Sequence, residues 1–253
     1  MTVQLTPIPA LKDNYIWALH DDRYAVVVDP GEVAPVLAWL NGRHLLAVLI
    51  THRHPDHWGG VPGLLERHPA PVYGPTNETV PGVSHPVGEG DVIEFPPLGL
   101  QLQVFDIPGH TQGHVAYLGA GALFCGDTLF GAGCGRIFDG TAAQLYASLQ
   151  RIVRLPDETR VCCAHEYTEA NLRFALACEP DNLAIRQRVV DVRELRAAGQ
   201  PSLPSSIATE KVTNPFLRCH VAEVAASAAA ATGRSLPDEL AVFTALRAWR
   251  NDF

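Results

Sequence analysis

Positive charge is scarce in this chain: 19 Lys and Arg stand against 27 Asp and Glu, for a formal net charge of -8. That balance excludes a general affinity for nucleic acid or for an anionic membrane surface. No apolar run reaches the length of a membrane span. The opening segment, Met1 to Pro9, has no basic stretch followed by an apolar one, so no secretory leader is expected. The expectation is therefore a cytoplasmic monomer with neither a nucleic-acid nor a membrane partner. The six cysteines form no CxxC pair and no disulfide framework, and adjacent Cys162 and Cys163 would point to opposite faces of a strand. They read as buried reduced thiols. No repeat of solenoid period is present.

What is present is an alternation of short β-branched runs and turn clusters over the first two thirds of the 253 residues. Strands are predicted at 24–28, 45–51, 72–73, 91–95, 100–105, 115–118, 122–125 and 159–163. Helices are predicted at 33–41, at 61–68 with Pro62 in the first turn, and at 141–155 capped by Thr141. After His165 the character changes. Residues 166–198 and 221–253 are Ala-, Leu- and Arg-rich with helical periodicity and no convincing strand, joined by a Pro/Ser-rich connector at 199–206. The pattern is an α/β catalytic body over 1–165 followed by a helical domain over 166–253.

The chemistry concentrates in His52-Arg53-His54-Pro55-Asp56-His57, directly after the apolar run 45–50. Three imidazoles and a carboxylate at a strand mouth would each cost free energy if desolvated alone, and a divalent cation satisfies them together. Three further strands run into a possible ligand: 100–105 toward His110, 122–125 toward Asp127, and 159–163 toward His165. A lone histidine in such a place is ordinarily a satisfied core residue; the repeated strand-then-ligand pattern argues otherwise. Five imidazoles (His52, His54, His57, His110, His165) and two carboxylates (Asp56, Asp127) exceed the about three protein ligands of one catalytic zinc. They suit two metals if one carboxylate bridges, and such a pair can share a hydroxide and polarise a carbonyl. Imidazole and carboxylate accept zinc, iron or manganese, with zinc the expected metal. His114, four residues beyond His110, reads as a support behind the ligands rather than as one of them. Asp29, ending its strand before Pro30-Gly31, reads as structural or as such a support rather than as a ligand.

Thr51-His52-Arg53-His54-Pro55-Asp56-His57 resembles the THxHxDH signature of the metallo-β-lactamase superfamily. With Gly133-Cys134-Gly135-Arg136, His165-Glu166-Tyr167-Thr168 and Asn214-Pro215-Phe216-Leu217-Arg218, the chain more narrowly resembles glyoxalase II, the hydroxyacylglutathione hydrolases. The resemblance implies a four-layer αββα sandwich with a C-terminal all-helical domain. It implies that His52, His54 and His110 hold one metal, that Asp56, His57 and His165 hold the other, and that Asp127 bridges. It implies glutathione binding by Arg136, Tyr167, Arg247 and Arg250. One departure is visible: some members carry Tyr where this chain has Phe138, which removes a hydroxyl from that surface.

The activity implied is hydrolysis of the thioester of S-D-lactoylglutathione to glutathione and D-lactate, the second step of methylglyoxal detoxification. Asp56 and Asp127 would act through a bridging hydroxide. Thiolate is a good leaving group, with a thiol pKa of about 8.5, so no strong general acid is required. The alternative is a glutathione persulfide dioxygenase using a single iron, which the full second ligand set disfavours.

Overall fold

Two six-stranded sheets carry the strand-to-ligand junctions marked in the sequence. The computed structural model describes residues 3–253. The first sheet has β1 (Gln4–Ala10), β2 (Asn14–His20), β3 (Tyr24–Val28), β4 (His44–Leu49), β5 (Val72–Pro75) and β6 (His85–Val87), in that spatial order. Helices α1 (Val33–Leu40), α2 (Pro55–Trp58) and α3 (Val61–Leu65) fall between its strands. The second sheet takes β7 (Val92–Phe95), β8 (Leu100–Asp106), β9 (Val115–Gly119), β10 (Ala122–Gly126), β13 (Arg160–Cys163) and β14 (Ser205–Ser206), in the order β14-β13-β10-β9-β8-β7. A short ribbon, β11 (Leu129–Phe130) with β12 (Gly133–Cys134), and helix α4 (Ala142–Ile152) separate β10 from β13.

Alternation along the first sheet explains why it is buried on both faces. Trp17, Leu19, Val26, Val28, Ala47 and Leu49 pack in one core with Leu102, Val104, Tyr117 and Phe124 of the second sheet. Their neighbours Ile16, Ala18, Ala25, Val27, Leu45 and Val48 point the other way, onto Val36 and Leu40 of α1 and Val61 and Leu64 of α3. In the second sheet, α4 buries Leu145, Leu149 and Ile152 in the same core as Leu123 and Cys125. Its start is set as the sequence indicates: Thr141 Oγ1 accepts the Gln144 amide at 3.1 Å while Gln144 Oε1 accepts the Thr141 amide at 2.9 Å. Helix, sheet, sheet and helix make the expected four layers.

Direction within the second sheet is what gathers the site. β8 and β10 each run antiparallel to β9, and β10 runs parallel to β13. Their C-terminal ends, before His110, Asp127 and His165, therefore lie on one edge.

The C-terminal part folds as α5 (Thr168–Cys178), α6 (Leu183–Ala197), α7 (Ile207–Thr213), α8 (Ala222–Thr232) and α9 (Glu239–Asp252). The short strands β6, β11 and β12 were not predicted, and two larger features also depart from the sequence reading. The connector at 199–206 ends in β14, which pairs antiparallel with β13 and so joins the helical part to the catalytic sheet. At the other end, β1 and β2 form a seven-residue antiparallel pair where no strand was predicted. Pro7 and Pro9 mask β1, and they are tolerated because β1 is an edge strand. The six cysteines are buried and unpaired, as expected. No described helix is long and apolar enough to cross a membrane.

Candidate metal centre and substrate cleft

The seven predicted ligands converge. His52, His54, His110 and Asp127 offer donor atoms within 4.8 Å of one another, and so do Asp56, His57 and His165. The loop after β4 supplies His52 and His54. The single turn α2 then turns Asp56 and His57 inward, with Pro55 in its first turn.

Three ring nitrogens meet in the first trio: His54 Nδ1 lies 2.9 Å from His52 Nε2 and 3.0 Å from His110 Nε2. In the second, Asp56 Oδ2 lies 3.5 Å from His57 Nε2 and 3.3 Å from His165 Nε2. Asp127 faces both trios. Its Oδ1 is 3.5 Å from His57 Nε2 and 3.4 Å from His165 Nε2, while its Oδ2 is 3.5 Å from His110 Nε2.

Each of the five candidate histidines but one is held from behind. His52 Nδ1 meets Thr51 Oγ1 at 3.0 Å, His57 Nδ1 meets Asp29 Oδ2 at 3.0 Å, and His110 Nδ1 donates to the Arg136 carbonyl at 2.7 Å. His165 Nδ1 lies 2.8 Å from Asp13 Oδ1, and Asn14 Nδ2 donates to Asp56 Oδ2 at 3.1 Å. Such partners fix ring orientation and aim the remaining nitrogen at a common point.

Protonation follows the same division. Burial holds His52, His54 and His110 below the usual imidazole range, so they present free lone pairs. Burial also opposes charge on His57 and His165, but their carboxylates together outweigh it: Asp127 with Asp29 lifts His57 well above the ordinary value, and Asp127 with Asp56 lifts His165 to about 10. Burial would raise the carboxyl of Asp127; the facing His57 and His165 instead hold it well below its ordinary value. The donor set fits a cation pair on one further observation. His57 Nε2 and Asp127 Oδ1 are buried with no hydrogen-bond partner, a costly arrangement that a divalent cation at each trio would relieve.

The predicted substrate residues line the cleft beside this cluster. A cavity of about 540 Å³ is bounded by His54, Asp56, His110, Asp127 and His165 on one side and by Arg136, Tyr167, Arg247 and Arg250 on the other. Tyr167 stacks on His165 with ring centroids 4.7 Å apart. Burial, with Asp13 next, raises its phenol pKa, so the hydroxyl remains a donor. Arg250 Nη2 reaches Asn171 Oδ1 at 3.3 Å, and burial with the neighbouring Arg247, Arg136 and Arg173 lowers its pKa. That crowding of cations marks the rim as an anion acceptor.

Arg247 is more committed than its sequence position suggests. It is 6% exposed, and its Nη1 donates to the Cys134 carbonyl at 2.8 Å. Phe138 is 62% exposed yet lies edge-on to His54 and His110, with centroids 4.8 and 5.1 Å away. Three residues that sequence reasoning missed also shape the site: Asp13, Asn14 and Asn171. Recognising β2 would have placed Asp13 and Asn14 at a strand mouth; Asn171 carries no signal beyond its place on α5.

Two family models divide the chain: the metallo-beta-lactamase superfamily matches residues 12–165, and the hydroxyacylglutathione hydrolase C-terminus matches residues 166–253. The hydroxyacylglutathione hydrolase of Nitrosomonas eutropha is 51% identical over 253 residues, covering 99% of each chain. That of Methylobacillus flagellatus is 53% identical over 253 residues, again covering 99% of each. Among solved structures, the BLEG-1 B3 metallo-beta-lactamase superposes with a TM-score of 0.66 at 24% identity, over 85% of this chain and 99% of that one, a likeness of fold. The chain belongs to the hydroxyacylglutathione hydrolase family of the metallo-β-lactamase superfamily.

Proposed function

We propose that this chain hydrolyses the thioester of S-D-lactoylglutathione, releasing glutathione and D-lactate. One observation carries the reading: a single cleft joins the His/Asp cluster to a rim of Arg136, Tyr167, Asn171, Arg247 and Arg250. A glutathione thioester has the matching polarity, with carboxylates at its ends and the reacting carbonyl between. Zinc is the proposed metal at both trios, His52, His54 and His110 at one and Asp56, His57 and His165 at the other, with Asp127 between them; iron and manganese suit the same donors. Such cations, when bound, supply Lewis acidity that lowers the pKa of water from about 15.7 toward about 7 and polarises a carbonyl.

The chain's own residues do the rest. The guanidinium groups of Arg136 and Arg250 hold carboxylate, and the Tyr167 hydroxyl donates to the peptide part of the substrate. The Phe138 ring covers His54 and His110 from the solvent side. The departing thiolate needs no proton donor, consistent with the lack of a free acid among the residues facing the cleft. A second trio as complete as the first disfavours the single-iron dioxygenase reading. Six buried reduced thiols suit a cytoplasmic protein, and a monomer is proposed with it.

The test is an assay of the purified protein with S-D-lactoylglutathione, with metals quantified on the same sample. Two metals per chain and thioester cleavage that a chelator abolishes are expected. Hydrolysis by metal-free protein, or one iron per chain with oxygen uptake, would overturn the proposal.

A further inference from the structure

One histidine of the cluster is left over by the ligand set. His114 is fully buried, and every polar contact it makes concerns the backbone around the centre. Its Nδ1 lies 3.0 Å from the Val115 carbonyl, which can only accept, so Nδ1 carries the proton. Nε2 is then an acceptor, and it takes the backbone N–H of Asp127 at 3.2 Å. The ring also stacks on His52, with centroids 4.6 Å apart and planes 15° from parallel. His114 thus touches the first trio by its face and the backbone of Asp127 by its edge.

Asp127 needs such a support. The pairing of β10 with β13 shifts register between Phe124 and Gly126, so the ladder stops dictating chain direction just before Asp127. Gly126 then adopts φ +46, and a Cβ there would stand 2.8 Å from His114 Nε2. Only glycine lets the turn press against the ring. The Asp127 oxygens lie 3.4 to 3.5 Å from donors on both sides, so a small rotation of the residue would favour one trio at the other's expense.

We propose that His114 is a positioning residue: by accepting the Asp127 amide proton while stacked on His52, it sets the carboxylate midway between the two trios. The inference rests on the two-metal reading above, which can fail separately. The test compares metal-stripped wild type with His114→Phe, which keeps a buried ring but has no acceptor, and His114→Gln, whose amide oxygen restores one. Each is titrated with zinc by calorimetry, and each manganese-loaded form is examined by electron paramagnetic resonance. Wild type should take two metals and give an exchange-coupled manganese signal. His114→Phe should bind the second metal about 10–100-fold more weakly and show uncoupled manganese, and His114→Gln should recover both properties. A His114→Phe protein with wild-type affinity and a coupled signal would overturn the proposal. So would a folded His114→Gln protein with uncoupled manganese, and that variant decides alone if His114→Phe does not fold. A wild type that binds one metal would instead defeat the two-metal reading.

Discussion

Asp29 Oδ2 stands 3.0 Å from His57 Nδ1 and accepts the Thr51 hydroxyl at 2.8 Å, while Thr51 Oγ1 in turn meets His52 Nδ1 at 3.0 Å. One buried carboxylate therefore orients a histidine of each trio. In Asp29→Asn, an amide nitrogen placed against His57 Nδ1 would favour the wrong tautomer, with the proton on the nitrogen that should face a metal. Affinity for both metals should fall about 10–100-fold with the fold retained. Titration of the metal-stripped variant, with circular dichroism as the control for folding, checks this. Unchanged affinity would show that Asp29 serves only its strand end.

Among the described residues, Asp127 is the carboxylate that directly meets both trios. Asp127→Ala should therefore remove both the second metal and thioester hydrolysis. The activity loss should exceed the about 100-fold that displacing an outer partner costs. His54→Ala should behave similarly, because His54 Nδ1 is the point where the first trio meets. Metal analysis beside a hydrolysis assay gives the answer. Two bound metals in Asp127→Ala would refute the bridging role.

The α/β part and the His/Asp cluster it gathers were legible because local patterns carried them. Strands β3, β4, β9, β10 and β13 are mostly apolar runs and β8 an apolar/polar alternation, and a strand end followed by His or Asp survives any uncertainty in boundaries. Strands β1 and β14 were not legible. Prolines disguise the first, and the second is two residues long, with pairing that depends on a partner about 45 residues away. The role of Arg247 was equally hidden. Nothing in a terminal helix shows that its cation will be buried against the Cys134 carbonyl while it lines the cleft. Orienting groups such as Asp13 lie far from their histidine in sequence, so only the fold brings them together.

Phe138 offers a test by addition. The ring already borders the cleft and is 62% exposed, so a hydroxyl can be added without repacking the core. Phe138→Tyr should lower KM for S-D-lactoylglutathione about 2–10-fold, the worth of one hydrogen bond of about 0.5–1.5 kcal/mol. The value of kcat should hold if the bond forms equally in ground and transition states. Steady-state kinetics on the two proteins decide. An unaltered KM would place the ring's contact with the substrate elsewhere.

Arg250 and Arg247 should separate in their effects. Arg250 is half-buried and lightly tied, by one hydrogen bond to Asn171, so it is free to bind a carboxylate. Arg250→Ala should raise KM about 10-fold or more at nearly constant kcat, as expected for loss of a charge-assisted contact of roughly 1.5–3 kcal/mol. Arg247→Ala would also strand the Cys134 carbonyl, whose loop continues to the Arg136 carbonyl behind His110. It should lower stability as well as activity. Denaturant midpoints and kinetics on both variants test the distinction. Equal KM effects with equal stability would erase it.

The helical part depends on a buried ion network rather than on apolar packing alone. Glu210 is fully buried, accepts the Arg188 guanidinium at 2.7 Å and the Ala132 amide at 2.8 Å, and is joined by Asn214 Nδ2 at 2.9 Å. Ala132 lies in the turn between β11 and β12, so the network ties α6 and α7 to the loop that carries Cys134 and Arg136 toward the cleft. Removing one partner of such a pair leaves the other charged and desolvated, at a cost of roughly 3–5 kcal/mol. Glu210→Ala should therefore lower the unfolding midpoint sharply. Glu210→Gln keeps one acceptor oxygen, turns the other into a donor facing donors, and loses the charge opposite Arg188, and should fall between wild type and Glu210→Ala. Replacing Arg188 and Glu210 together by methionine and leucine should be milder than Glu210→Ala, since no buried charge is then left alone. Denaturant unfolding of the four proteins measures the ordering. A double variant as unstable as Glu210→Ala would mean that the carboxylate serves the Ala132 amide more than the arginine.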